Sequence, residues 1–272
     1  MVSIAKTFIH LEKLSLANHI ISGDLYGLLG CFPHLRSLTI SSCHFETESS
    51  VSPRGFIASY HLQELSFRNI TYKPKPDFAA LVTAPNLSSL CFDRTSGGCL
   101  PISGDAYKKL TFLQIYDTPG WTLSGMLPQD TVAVAIAIAG HSLLVEDVII
   151  DIPMPFPSSY SVPLHLSRSL RTYRGPAHLL LEATSRREFR EIVAVEVFDR
   201  GINLEFVFSS ISFSIPGLQR LVVSLENWDQ SLPDVLLHLT NLGNLAHISI
   251  NVDRLVLVGS LHVRMCRILQ VC

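Results

Sequence analysis

Long apolar runs are missing from this sequence. The most apolar stretch, Val132–Ala139, spans eight residues before Gly140 and His141. A membrane-crossing helix needs about 20, so this stretch is read as a buried element and no membrane partner is expected. The first ten residues, MVSIAKTFIH, contain no continuous apolar core of signal-peptide length. Charge is scarce as well: 16% of residues are charged and the net charge is −2. With no basic excess to neutralise phosphates, nucleic acid is not an expected partner. The cysteines Cys31, Cys43, Cys91, Cys99, Cys266 and Cys272 form no C-x-x-C pair and no dense framework. That pattern fits free thiols in a reducing compartment, so the expected location is cytoplasmic or nuclear. The chain also lacks a G-x-S-x-G elbow, a P-loop, a G-x-G-x-x-G loop and an H-E-x-x-H helix. The expectation is therefore no enzyme, no cofactor and no metal.

What the sequence has instead is a repeat. His34–Ile40 reads HLRSLTI, with Leu35, Leu38 and Ile40 in an L-x-x-L-x-I pattern. The pattern returns as HLEKLSL from His10, HLQELSF from His61, NLSSLCF from Asn86 and KLTFLQI from Lys109. Looser copies lie at Val145–Ile150, Ile192–Val197, Leu218–Val223 and Leu245–Ile250, with a further copy opening at Leu170. Between successive first apolar positions, eight of nine intervals fall between 22 and 27 residues. The exception, Leu110 to Val145, holds the turn-rich insert Asp117–Pro128. Leucine-rich repeats run about 20–29 residues.

The last two apolar positions of a copy are two apart, so they share one face of a strand. Stacking such strands makes a parallel sheet in which each pairs only with its neighbours. Return segments are expected as helix or irregular turn over Asp24–Phe32, Arg54–Tyr60, Asp77–Val82 (with Asp77 as N-cap), Asp130–Ala139, Pro176–Arg186 (with Pro176 at the first helical position), Leu204–Phe213 and Pro233–Leu239. Ser96–Gly98 and Ile152–Pro163 are expected as loops. The expected fold is an α/β leucine-rich-repeat solenoid. Its parallel sheet lines the concave face, and helices or irregular turns form the convex face. Residues 1–254 are expected to form about ten degenerate repeats, and residues 255–272 an apolar tail, a partial repeat or a truncated end.

The openings FPHLRSLTI at Phe32, HLQELSF at His61, APNLSSLCF at Ala84, SLRTYRGP at Ser169 and PGLQRLVVS at Pro216 resemble the repeat halves of F-box/leucine-rich-repeat proteins, especially the large fungal families. The resemblance covers roughly residues 8–253. It implies a protein-binding scaffold, the substrate-recognition part of a ubiquitin-ligase subunit. No F-box segment is found in the sequence, so a cullin-ligase adaptor is an expected partner only if an F-box lies outside this chain. The family's Asn/Cys position, three after the last apolar residue, is matched by Cys43; His19, Ile70, Thr95 and Thr118 occupy it elsewhere.

Residues alternating with the core pair face out on the concave surface and are the candidate protein contacts. They are Arg68, Asp93, Phe112, Gln114, Tyr116, Asp151, Arg174, Glu196, Phe198, Arg220 and His247. Phe112, Tyr116 and Arg174 are of types enriched at interface hot spots. The competing view of each is an ordinary solvated strand residue. His10, His34 and His61 recur just before the first leucine, and a polar loop-edge position explains them better than zinc. Two other classes stand as alternatives: an α/β hydrolase-like enzyme whose strands are misread as repeats, which requires a reversed strand order beside a crevice, and a fragment without independent function.

Overall fold

The computed structural model describes residues 8–22, 24–46, 61–73, 76, 78–101, 106–116, 134–135, 137–139, 142, 144–152, 167–185, 189–199, 203–228 and 237–255. The chain forms two compact units, Met1–Val145 and Glu146–Cys272. The first contains β1 (Lys13–Ala17), β2 (Ile20–Ile21), α1 (Leu25–Leu29), β3 (Ser37–Ser41), β4 (His44–Phe45), β5 (Glu64–Arg68), β6 (Thr71–Tyr72), α2 (Ala79–Val82), β7 (Ser89–Asp93), α3 (Arg94–Gly97) and β8 (Phe112–Tyr116). The second contains β9 (Asp147–Asp151), β10 (Thr172–Pro176), α4 (Ala177–Thr184), β11 (Ala194–Asp199), α5 (Leu204–Ser214), β12 (Arg220–Trp228) and β13 (His247–Leu255). Among the described residues the architecture is α/β, with ten strands of the main parallel sheet, five in each unit, and few helices.

In the first unit β1, β3, β5, β7 and β8 lie side by side in chain order, and β2, β4 and β6 form a small second parallel sheet. In the second unit β9 to β13 also follow chain order. Neither unit reverses its strand order.

Strand after strand is entered by the same turn. The N–H of the first leucine bonds to the carbonyl three residues back: Leu35 to Phe32, Leu87 to Ala84, Leu110 to Tyr107, Leu218 to Ile215 and Leu245 to Leu242, each at 3.1 or 3.2 Å. Pro33, Pro85 and Pro216 follow the first residue of that turn, where a fixed φ suits a β-turn. This is the physical content of the FPHL, APNL and IPGL tetrapeptides. Past the leucine, one carbonyl accepts two successive N–H groups of the next strand. Glu12 O takes Arg36 N and Ser37 N at 2.7 and 2.9 Å, Arg36 O takes Gln63 N and Glu64 N, and Gln63 O takes Ser88 N and Ser89 N. The same stitch recurs in the second unit from Glu146, Arg171, Val193 and Gln219.

The leucines then align. Leu14 stands opposite Leu38, Leu38 opposite Leu65, Leu65 opposite Leu90, and Leu90 opposite Leu113. Val148, Tyr173, Val195, Leu221 and Ile248 make the corresponding row in the second unit. All but Leu14 are buried. Burying side chains of this size stabilises by about 1.5–3 kcal/mol each, so these rows are the main cohesive element.

The return segments complete the core. In α5, Leu204, Val207, Phe208 and Ile211 are buried, the spacing of one helical face, and the Asn203 side chain caps the helix by accepting from Phe206 N at 3.2 Å. Phe78, just before α2, stacks on Phe67 with centroids 4.4 Å apart and meets Phe45 edge-on at 5.6 Å. Several expectations need adjustment. Pro176 ends β10 and sits at the N-cap of α4, one residue before the helix. Ser96–Gly98, expected as a loop, overlaps α3 because Asp93 nucleates a turn there. Residues 134–135 and 137–139 of the expected Asp130–Ala139 helix are helical. The Arg54–Tyr60 segment, the Asp77 cap, the insert Asp117–Pro128, residues 153–163 of the expected loop, residues 233–236 and residues 256–272 lie outside the described residues.

One strand departs from the repeat. The second core position of β10 is Gly175, where its neighbour β11 carries Val197. The fully buried Tyr173 fills that space, its hydroxyl donating to Pro176 O at 2.8 Å. A Cβ on Gly175 would meet the Tyr173 hydroxyl oxygen at 2.8 Å and Ile150 Cβ at 3.2 Å. Overpacking of this kind costs about 1–3 kcal/mol. Gly175→Ala is expected to lower the denaturation midpoint accordingly. Gly175→Ala with Tyr173→Phe, which removes the contacted hydroxyl, is expected to recover part of the loss in urea unfolding.

Candidate functional site

The sheet face opposite the core carries the candidate contacts. Its composition follows from strand alternation, since Leu38 and Ile40 point inward while Ser37, Thr39 and Ser41 point outward. Ser15, Thr39, Ser66, Cys91 and Gln114 are in register across the middle of the first unit's face. The floor is thus small and uncharged, and larger side chains rise beside it. Of the expected contacts, Arg68, Arg174 and Arg220 are exposed, and Phe112, Gln114, Tyr116, Asp151, Glu196, Phe198 and His247 are partly exposed.

Asp93 is a correction. It is 1% exposed and serves the interior. Its Oδ1 accepts from Thr95 N at 3.1 Å, Thr95 Oγ1 at 2.7 Å, Ser96 N at 3.0 Å and Ser96 Oγ at 2.6 Å. Ser96 Oγ in turn accepts from Asp93 N at 3.1 Å, so the two close a capping box on α3. Asp93 Oδ2 accepts from Asn69 N.

That last bond has a structural logic. Asn18, Ser42 and Asn69 each follow a strand and each adopt positive φ, at 58°, 51° and 50°. Asn and short polar residues tolerate this left-handed turn best. Asn18 N bonds to Ser41 O and Ser42 N to Arg68 O, each reaching the next strand's end. For Asn69 the acceptor is the Asp93 carboxylate, and Ile70 N bonds to Thr95 Oγ1 at 2.9 Å. Asp93 and Thr95 side chains therefore take the place of backbone where the small sheet β2–β4–β6 stops. The pattern Asp-x-Thr-Ser is the available signal, an N-cap box one residue after the core pair.

Two groups of side chains assemble on the face, one in each unit. In the first, Arg68 donates from an Nη to the Tyr116 hydroxyl at 2.7 Å, with its guanidinium carbon 4.1 Å from the ring centroid. Tyr116 donates to Gln114 Oε1 at 2.8 Å, and the Cys91 thiol points at the same oxygen from 3.9 Å. Burial pushes the Cys91 thiol up, with Tyr116 and the Arg68 charge pulling partly against it. Burial likewise pushes the Tyr116 phenol up, with Cys91 adding and Arg68 opposing. Both groups are neutral at pH 7, and Cys91 is not an activated nucleophile. In the second unit Arg174 Nε lies 3.0 Å from Asp151 Oδ1 and 3.5 Å from Glu196 Oε1. Arg174 is thus flanked by two carboxylates.

The histidine column has the expected loop-edge placement. His10 and His34 stack with centroids 5.9 Å apart, His34 and His61 lie 5.5 Å apart and tilted, and Lys109 donates to Asn86 at 3.1 Å in the same column. Among the described residues no group of three His, Cys, Asp or Glu side chains is placed to hold a metal ion. No helix among them is long and apolar enough to cross a membrane. Cys31, Cys43, Cys91 and Cys99 are free thiols. No protein-family model matches the chain, and no curated protein matches it.

Proposed function

We propose that the chain is a leucine-rich-repeat solenoid that binds a protein on its sheet face, acting as the substrate-recognition part of an F-box-type ubiquitin-ligase subunit in the cytoplasm or nucleus. The observation that carries the reading is the recurrence of one entry turn and one two-for-one carbonyl stitch at strand after strand. Among the described residues the outward sheet face carries hydroxyls, the Arg68–Tyr116 stack and the ion pairs of Arg174. Such faces recognise partners through a few anchors surrounded by neutral contacts. The ligase role rests on the resemblance of the repeat openings alone, and an adaptor would be recruited only through an F-box outside this chain.

The test is selection of peptides by display on the full chain, followed by binding measurements on Tyr116→Ala and Arg174→Ala. Exposed ion pairs contribute about 0–1 kcal/mol to stability, so Arg174→Ala is expected to melt close to the unsubstituted protein. Each variant is expected to weaken the peptides selected on its own unit's face by tenfold or more, as about 1.4 kcal/mol per anchor implies. Enrichment of no peptide, or full retention of affinity in both variants, would end the proposal.

A further inference from the structure

We propose that the Arg68–Gln114 corner of the first unit's sheet face seats a carboxylate from an acidic segment of a protein partner. This rests on the protein-binding reading above and specifies the chemistry of the partner. Donors and acceptors at the corner point to an anion. A guanidinium carries five N–H donors and no acceptor. Arg68 uses one of them on Tyr116. The Tyr116 hydrogen is used on Gln114 Oε1, and the Cys91 thiol faces that same oxygen. The acceptors of the corner are thus turned inward, and what remains on Arg68 is donor and positive charge.

Nor does an ion pair hold the charge. Arg36 has Glu12 at 3.9 Å, and Arg174 has Asp151 and Glu196. Among the described residues no carboxylate lies within ion-pair distance of Arg68. Glu64, on the same strand and the same face, sits close enough to act on Cys91 but does not pair with the arginine. The neutral Cys91 and Tyr116 add no negative charge to oppose an incoming anion.

Arg68 is also held in place. Stacking over Tyr116 and the bond to its hydroxyl fix a side chain that would otherwise lose rotamer freedom on binding. A planar, fixed guanidinium suits two-point contact with a carboxylate. Phe112, partly exposed and on the same strand as Gln114 and Tyr116, offers apolar contact to the rest of the segment. A peptide is favoured over nucleic acid because the chain carries a net charge of −2, and one arginine does not make a phosphate-tracking stripe.

Fluorescence anisotropy with a labelled octaglutamate peptide, at low salt and with the full chain, tests this. Binding is expected to fall about tenfold or more in Arg68→Gln, the change expected when a charged hydrogen-bonded contact is lost. Arg68→Lys is expected to recover less than half of that loss, because it keeps the charge but not the fork. Arg168→Gln, at an exposed arginine outside the strands, is expected to bind as the unsubstituted protein does, and circular dichroism melts are expected to show all three variants folded. Equal binding by the unsubstituted protein and Arg68→Gln would overturn the proposal, as would no binding at all. An octauridylate that bound as tightly and depended on Arg68 would also overturn it, in favour of a phosphate ligand. Display-selected peptides that lack acidic residues and bind independently of Arg68 would remove this proposal while leaving the protein-binding reading standing.

Discussion

Leu38→Asp is expected to abolish cooperative folding of the Met1–Val145 unit. Leu38 is 1% exposed and stands between Leu14 and Leu65 in the aligned row. Truncation alone, Leu38→Ala, removes packed methyl groups and leaves a cavity, at a cost of about 2–5 kcal/mol. Aspartate adds the burial of an unpaired carboxylate, which costs several kcal/mol more or forces the group to take up a proton. Against a total stability of about 5–15 kcal/mol for a domain, the alanine variant folds with a lowered midpoint and the aspartate variant does not fold near neutral pH. The neighbouring outward residue supplies the control, since Thr39→Asp adds the same charge on the partly exposed face. Far-ultraviolet circular dichroism with urea titration separates the cases. If Leu38→Asp and Thr39→Asp melt alike, the assignment of inner and outer faces is wrong.

Asp93→Ala is expected to lower stability by about 3 kcal/mol. The change removes a helix cap, worth about 0.5–2 kcal/mol, and leaves buried N–H groups of Asn69, Thr95 and Ser96 without their acceptor, at about 1–3 kcal/mol for each one left unsatisfied. Part of this is offset because a buried charge is removed with its desolvation cost. Asp93→Asn separates the two jobs. With its oxygen in the Oδ1 position, asparagine keeps the cap on α3 and sets an amide N–H₂ against Asn69 N. The expected loss is then about half that of alanine, and the amide of Asn69 is expected to lose protection in hydrogen exchange while those of Thr95 and Ser96 keep it. Equal loss of protection at all three sites would contradict the division of labour between the two carboxylate oxygens.

The contrast between these residues shows what the sequence reveals and what it conceals. The row from Leu14 to Leu113 is legible because burial acts on side-chain type: only apolar residues suit those positions, so the period survives in the letters. Strand alternation then places Arg68, Gln114 and Tyr116 on the opposite face. Alternation fails at Asp93, where a short acidic side chain curls back to cap the next turn and leaves the face it was assigned to. It fails for a general reason, since local side-chain-to-backbone bonds compete with the strand for the same residue. The pairing of Arg174 with both Asp151 and Glu196 needs three-dimensional distances, as those partners come from strands on either side. The small sheet of β2, β4 and β6 is equally hidden, because two-residue strands leave no periodicity to read. The polar residues Asn18, Ser42 and Asn69 after β1, β3 and β5 are its trace in the sequence.

The doubled carbonyl stitch has a consequence for how such a chain is able to change over time. Every strand after the first in its unit closes a loop of similar length against its immediate predecessor, so no contact in the pattern depends on how many strands came before. Loop-closure entropy rises only slowly with loop length, and in stacked architectures the energy is a sum over adjacent modules. A gain or loss of one whole module would therefore keep the backbone stitch in phase, except at joints closed by particular side chains such as Asn69 with Asp93 or Gly175 with Ile150, whereas a gain or loss of half a module would face leucines to water. For the stitch itself, phase is what the strand register holds fixed, and copy number is what it leaves open.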